Sequence, residues 1–213
     1  MQRRMTFDRI RELLAPFLEA EPIPDQKLRH ISEHLDLLLK WNSRTNLTAI
    51  TEPEQIVTRH FGESLFAARV LAKDSPLLAS LIDFGSGAGF PGIPIKIWVP
   101  GLNVTLIEAR QKKATFLREV ARTLGLAGLE IENQRAEGVG LQADVVTLRA
   151  VEKFDQSLSV AASLVRKGGR LALLIGVQQI PTASSLLPGS SWDDPVSIPQ
   201  SSARVVLVGR TPC

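Results

Sequence analysis

The stretch Leu81-Ile82-Asp83-Phe84-Gly85-Ser86-Gly87-Ala88-Gly89-Phe90-Pro91-Gly92-Ile93-Pro94 constrains the fold of this chain more than any other. Its short apolar run reads as a buried strand, which breaks into glycines where a helix is expected to begin. Glycine lets the backbone turn sharply and approach a ligand with no Cβ in the way. The following helix is expected to turn its unpaired N–H groups toward the bound molecule. Such a segment is the first βα turn of a nucleotide-binding α/β sheet.

Glycines alone leave the ligand open. Gly87, Gly89 and Gly92 also match the G-x-G-x-x-G dinucleotide spacing. Pro91 and Pro94 argue against a dinucleotide, because they fall in the first turn of the helix, where proline is tolerated only at the start. The string from Asp83 to Gly89 resembles instead the first motif of the S-adenosylmethionine-dependent methyltransferases, in which the loop wraps the amino-acid end of the cofactor.

A length of 213 residues allows one α/β domain and a modest extension. Hydrophobic content of 44% with mixed charge describes a globular protein. No apolar run is long enough to span a bilayer, and no signal-peptide pattern follows Met1-Gln2-Arg3-Arg4-Met5. The single cysteine, Cys213, excludes an intrachain disulfide, so the cytoplasm is expected and the Asn46-Leu47-Thr48 sequon carries no meaning. A net charge of +3 and a pI of about 9.3 are compatible with a nucleic-acid partner without requiring one.

Residues 1–75 read as a helical extension and 76–213 as the sheet domain, together one compact unit. Thr6 is expected to cap a helix with apolar positions Phe7, Ile10, Leu13, Leu14, Phe17 and Leu18. Asp25 is expected to cap a second, with Leu28, Ile31, Leu35, Leu38 and Leu39 on one face. Thr51 and Glu54 form a capping-box signature for a third, with Pro53 in its first turn. Between the second and third, Lys40 to Thr48 reads as a capped loop around the half-buried indole of Trp41. The third helix carries Arg59-His60 with Glu63 and Ser64 one turn on; no second histidine or cysteine stands near enough to suggest a metal.

Alternating strands and helices follow, the pattern of a parallel sheet. A second strand, Asn103 to Ile107, ends in Glu108, about 20 residues past the glycines, where an acid can accept from both ribose hydroxyls. The helix from Arg110 to about Leu124 interleaves Lys112, Lys113, Arg118 and Arg122 with an apolar face. A third strand near Leu129-Glu130-Ile131 runs toward Arg135-Ala136-Glu137, and a fourth, Asp144 to Leu148, ends in Arg149-Ala150. Lys167 to Arg170 reads as a tight turn into a strand Leu171–Ile175. From Pro181 to Pro199 a loop around one short strand is expected, then a final strand Val205–Val208.

Lys40-Trp41-Asn42, Asn46-Leu47-Thr48, Arg59-His60, Gly85 to Pro94, Phe116-Leu117-Arg118 and Arg149-Ala150 stand in an order found in one family. From about residue 30 to 176 the chain resembles the bacterial 16S ribosomal RNA guanine-N7 methyltransferases, the RsmG or glucose-inhibited division protein B family. The resemblance implies a Rossmann-like class I methyltransferase fold, a mostly parallel seven-stranded sheet behind N-terminal helices. It implies methyl transfer from S-adenosylmethionine to N7 of one guanine of 16S rRNA, with the small ribosomal subunit as partner and a monomeric enzyme. Carried over, the cofactor contacts are Gly85, Gly87, Phe90, Glu108, Ala136, Glu137 and Arg149. Trp41, Asn42, Arg59, His60, Lys112 and Lys113 are candidates for RNA, with Arg149 and His60 as positioning residues. Two positions depart from the family pattern: Glu63 replaces an aspartate, and Ile175 a lysine before Gly176.

Guanine N7 carries an in-plane lone pair at neutral pH, so its methylation needs alignment rather than a general base. The Asn/Asp-Pro-Pro-aromatic motif for exocyclic amines is absent; Leu148-Arg149-Ala150-Val151 stands at its position. A cysteine-dependent carbon-5 mechanism would have only the terminal Cys213. Methylated N7 is cationic, so Arg149 is expected at the cofactor pocket and on the sugar or phosphate side of the target, or in a structural ion pair with Glu137 or another carboxylate. A nicotinamide-dependent oxidoreductase and a non-catalytic RNA- or ribosome-binding module remain as alternatives.

Overall fold

In the computed structural model, which describes residues 4–19, 21–73, 79–151 and 153–210, four α-helices and one π-helical stretch precede the sheet among those residues. The expected division near residue 75, Met1 to Arg3 and Cys213 lie outside these. Helix α1 spans Phe7–Leu18, and Thr6 caps it by accepting from the Arg9 N–H at 3.3 Å. Helix α2 spans Asp25–Thr45, with Asp25 as its first residue and Pro24 at the cap. Lys40 to Thr45 is therefore helical, not loop. The stripe Ile31, Leu35, Leu38 continues at helical spacing into half-buried Trp41, and only Asn46, at φ 44°, ends the helix.

Helix α3 (Pro53–Ile56), a π-helical stretch Val57–Gly62 and α4 (Glu63–Lys73) follow one another without a break. The expected capping box does not form: Glu52 occupies the cap, and both Glu54 carboxylate oxygens instead accept from Arg9 at 2.8 Å. A bidentate guanidinium fork outcompetes a single backbone N–H.

The sheet contains β1 (Ser80–Phe84), β2 (Asn103–Ile107), β3 (Leu129–Glu132), β4 (Ala143–Arg149), β5 (Val165–Gly176), β6 (Ser191–Trp192), β7 (Val196–Ser197) and β8 (Arg204–Arg210). Its order is β3-β2-β1-β4-β5-β8-β6, with β7 also on β8; β1 to β5 pair in parallel and β8 runs antiparallel to β5. Among the described residues there are eight strands where seven are expected. The extra one arises because the outer edge strand is broken: Trp192 faces Gly209 and Val196 faces Val206, so one residue is inserted across Asp193-Asp194-Pro195. Proline has no N–H to give the ladder there.

The expected turn at Lys167–Arg170 is instead a bulge within a continuous β5, where pairing jumps from Ala143–Val165 to Val145–Arg170 around Gly168 at φ 68°. Beyond β5 the chain forms helix α8 (Ile180–Leu186) rather than plain loop; Pro181 falls at its start and Ala183 is buried. Helices α5 (Gly92–Trp98), α6 (Gln111–Leu124) and α7 (Phe154–Ser163) complete the layers.

Strand residues alternate between two cores, as the period of two requires. Leu81, Val104, Leu106, Val145, Leu174 and Val206 pack with α1, α2, α4, α5 and α6 in one cluster. Ile82, Ile107, Val146, Leu148, Leu173 and Val205 pack with α7 and α8 in the other. The N-terminal helices thus share one apolar cluster with the sheet. Strand order reverses at β1, whose neighbours are β2 and β4, so the carboxyl ends of β1 and β4 border the crevice where ligands of such sheets bind.

Gly62 sits directly against α1: a Cβ there would lie 2.6 Å from the Phe17 ring. Overpacking costs about 1–3 kcal/mol, against a helical gain of about 1 kcal/mol for replacing glycine by alanine. With the overpacking at about 2 kcal/mol, the net loss is about 1 kcal/mol, and Gly62→Ala should lower the thermal midpoint by about 2–4 °C. An unchanged or higher midpoint in calorimetry would contradict this contact.

Candidate active site

The glycine loop is tied down mostly from within. Gly85, Gly87 and Gly89 have φ of 66°, 58° and 88°. The Ser86 N–H donates to Ile107 O at 3.0 Å and the Gly87 N–H to Glu108 Oε2 at 3.0 Å. The helix after the loop does not turn its first N–H groups outward as the sequence suggests. Gly92 N–H donates to Asp83 Oδ2 at 3.1 Å and Ile93 N–H to Gly89 O at 2.8 Å, while Pro91 and Pro94 have none. A Cβ on Gly92 would stand 2.5 Å from Leu106 and 2.8 Å from Asp83 Oδ2, so glycine permits this close seating. Buried Asp83 also accepts from Thr147 Oγ1 at 2.8 Å; burial pushes its carboxyl up to about 6.

Phe90 lies between two histidines. His34 stacks on it at 5.0 Å and His60 at 4.8 Å, while Phe61 meets it edge-on at 5.0 Å. His34, fully buried on α2, donates from Nε2 to Ala88 O at 3.0 Å and braces the loop from behind; burial lowers its pKa to about 4. His60 has both ring nitrogens engaged. Arginine can only donate, so Arg149 Nη1, at 3.2 Å, donates to His60 Nδ1, and His60 Nε2–H donates to Thr48 Oγ1 at 2.8 Å. Burial, then the cations Arg149 and Arg59, push its pKa down to about 3. His60 is neutral, in one tautomer, at physiological pH.

One carboxylate gathers three guanidinium groups behind this wall. Glu63, 2% exposed, accepts from Arg149 Nη2 on Oε2 at 3.1 Å, and on Oε1 from Arg59 Nε at 3.2 Å and Arg204 Nη2 at 2.7 Å. Arg149 Nη2 also donates to Arg59 O at 2.8 Å. Arg149 thus pairs with Glu63, not Glu137. Ile175 lies in the α7/α8 core, on the opposite face of β5 from this cluster.

Two adjoining grooves run along the carboxyl ends of the strands. One, of about 430 Å³, contains Gly85, Gly87, Phe90, Glu108, Arg149, His60 and Lys113 among its walls. The other, of about 420 Å³, contains Ala136 and Glu137, and shares Phe84, Gly85, Ala109 and Arg110 with the first. All seven cofactor candidates border these grooves. Glu108 is buried, and its oxygens accept from Gly87 N and Arg110 N at 3.0 and 2.7 Å; each keeps a second lone pair.

The RNA candidates divide. His60 and Lys113 line the first groove and Arg59 joins the Glu63 cluster. Lys112 is exposed on α6. Asn42 exchanges two 2.9 Å bonds with the Thr48 backbone and so closes the turn after α2. Trp41 donates to Glu119 at 3.0 Å and packs edge-on against Phe116. Among the described residues, Lys40, Arg44, Lys112, Lys113, Arg118 and Arg122 have no ion pair, whereas Arg4 has one and Arg9, Arg11 and Arg69 have two each. No cluster of three metal-ligating side chains occurs among the described residues.

His34 and Arg204 are the site-building residues that motif spacing does not single out, while Asp83 lies in the glycine motif without its anchoring role being legible there. His34 had a signal: it interrupts the apolar stripe of α2 between Ile31 and Leu38, at a core position. Arg204 had none, because its partner lies 141 positions earlier.

The family model for "rRNA small subunit methyltransferase G" matches residues 27–183. The Ribosomal RNA small subunit methyltransferase G of Chloroflexus aggregans is 38% identical over 200 residues, covering 88% of this chain and 83% of the relative. That of a Roseiflexus species is 40% identical over 199 residues, covering 87% and 84%. Among solved structures, Pyrococcus horikoshii TYW2 in complex with MeSAdo superposes with a TM-score of 0.57 at 17% identity, covering 71% of this chain and 62% of that one. An O-methyltransferase family protein from Burkholderia thailandensis gives 0.56 at 16% identity, covering 86% and 71%. These two likenesses show the class I methyltransferase fold.

Asp83 makes the loop's anchorage pH-dependent. Its folded pKa lies above the unfolded value near 4, so the folded state holds the proton more tightly. The stabilising contribution is present below about pH 4 and lost as pH rises through about 6, by on the order of 3 kcal/mol. Asp83→Asn should remove that loss while keeping an oxygen for Gly92 N–H. Denaturant titrations at pH 4 and pH 7 should show the wild type losing stability relative to the variant; parallel behaviour would refute the anchor's titration.

Proposed function

The chain belongs to the rRNA small subunit methyltransferase G family, and on that premise we infer that it methylates N7 of one guanine in 16S ribosomal RNA, using S-adenosylmethionine. The observation that carries this reading is the family match over residues 27–183, which spans the glycine loop, both grooves and the Arg149 wall.

The residues present suit the cofactor. A Cβ on Gly85 would meet only Val151, at 3.4 Å, so the loop leaves open space beside backbone held at positive φ. Gly85, Gly87, Phe90 and Arg149 would hold the amino-acid end. Glu108 would accept from the ribose with its free lone pairs, and Ala136 and Glu137 would border the base. When bound, S-adenosylmethionine supplies an electrophilic methyl group on a sulfonium.

The protein's own part is alignment. N7 needs no deprotonation, and the one histidine lining the first groove among the described residues is not poised to take a proton: His60 is neutral, and its Nδ1 lone pair is already occupied by Arg149. Arg149 is held by Glu63, His60 and the Arg59 carbonyl, so its charge stays in the wall. We place it on the sugar or phosphate side of the target, because a guanidinium beside N7 would disfavour the cationic product. The unpaired cations Lys112, Lys113, Arg118 and Arg122 on α6, with Lys40 and Arg44 on α2, supply an attractive face for RNA.

Among the described residues, no helix is long and apolar enough to cross a membrane. Acting on ribosomal RNA assigns the protein to the cytoplasm, and we take the monomer as the acting unit. The shared apolar cluster supports residues 1–75 and 76–213 folding together.

Mass mapping of 16S rRNA incubated with protein and S-adenosylmethionine should reveal 7-methylguanosine at one position. Calorimetry should show S-adenosylmethionine binding, weakened at least about tenfold in Gly85→Val, where a branched side chain would need the φ of 66° that glycine adopts freely. Binding of NAD without response to S-adenosylmethionine, or unmodified RNA, would refute the reading.

A further inference from the structure

We propose that Arg59 and Arg204 form a binding site for one phosphodiester of the RNA strand at the target guanine, with Glu63 as the positioning residue that aims both guanidinium groups. This deepens the function proposed above and rests on it.

Charge is the first reason. Arg59, Arg149 and Arg204 bring three positive charges to one carboxylate, and no other carboxylate pairs with any of them among the described residues. Neutral His60 adds none. The cluster keeps two uncompensated positive charges, in a partly buried place where water screens them poorly. Arg59 and Arg204 are bonded to the same oxygen, Glu63 Oε1, so their repulsion is strongest at the point they share. An anion between them relieves it.

Donor geometry is the second. Each guanidinium offers five N–H groups. Arg204 spends Nη2 on Glu63 and Arg59 only Nε, so Nη1 of Arg204 and both terminal nitrogens of Arg59 are left for an anion, while the Arg204 Nε is buried. A planar fork with open donors matches the oxygens of a phosphodiester.

Position is the third. Exposure rises from Arg149 at 13% through Arg204 at 25% to Arg59 at 47%, so the cluster opens from the groove wall toward solvent. Arg149 ends β4 and lines the groove; Arg204 begins β8 opposite Gly176, where β5 ends. A nucleotide whose base enters at the groove would lay its backbone across the open end.

The rival roles are a purely structural clamp and a seat for the cofactor's carboxylate. They are separated by measuring RNA binding against salt, saturating single-turnover methyl transfer and S-adenosylmethionine affinity for wild type, Arg204→Gln and Arg204→Lys. The RNA is unmodified 16S rRNA, naked and in small subunits. Wild-type transfer to this RNA establishes the parent reading, and its absence would refute that reading.

Given wild-type transfer, Arg204→Gln should weaken RNA binding about tenfold and reduce the log–log salt slope by about 0.7–0.9, the loss of one phosphate contact. S-adenosylmethionine affinity should not move, because Arg204 lines neither of the two grooves. Arg204→Lys should retain the salt slope, since the charge remains. An unchanged slope in Arg204→Gln, whatever its stability, would overturn the phosphate site in favour of a clamp. A parallel fall in S-adenosylmethionine affinity would overturn it in favour of the cofactor.

Discussion

The carboxylate of Glu63 ties the helical layer to two strands of the sheet at once. It starts α4, accepts from Arg149 at the end of β4 and from Arg204 at the start of β8, and lies almost wholly out of water. A buried carboxylate without partners would be costly, and so would three guanidinium groups with no anion. Each side of the cluster therefore requires the other. The consequence is a helical layer locked to the sheet at the edge where the grooves open, while the apolar cluster beneath supplies adhesion without direction.

That lock reaches the chemistry through Arg149. Glu63 takes one nitrogen of its guanidinium, and the other is left to donate to His60 Nδ1. The histidine is thereby fixed as the Nε2–H tautomer, bonded to Thr48, and its ring stacks on Phe90. Phe90 is itself backed by His34, which also holds the glycine loop through Ala88. A chain of contacts so joins the buried charge to the groove wall. What it produces is a wall whose histidine has no lone pair free to act as a base, which suits a nucleophile that already carries its own.

Much of this was legible in local pattern. The strand–glycine–proline sequence located the loop, and the spacing to Glu108 placed an acid at the end of the next strand, because neighbouring parallel strands must end at the same edge. The bounds of α2 were not, since Lys40 to Thr45 is polar and only the Leu38–Trp41 spacing extends the stripe. Nor were the edge strand's break at Pro195, the Arg9–Glu54 pair in place of the capping box, or the inward use of the N–H groups after the glycine loop. Each depends on a partner from elsewhere in the fold. The Glu63 cluster is the extreme case: residues 59, 63, 149 and 204 meet only once the sheet is built, and no window of sequence holds them together.

The central claim is that alignment alone, without a general base, drives the transfer. Single-turnover methyl transfer to 16S rRNA, with both substrates saturating, measures this directly when followed from pH 6 to pH 8.5. With His60 already neutral across that range, the rate should be flat. A rate that rises tenfold per pH unit to a plateau near neutrality would show that a group must lose its proton before transfer, and would contradict the account.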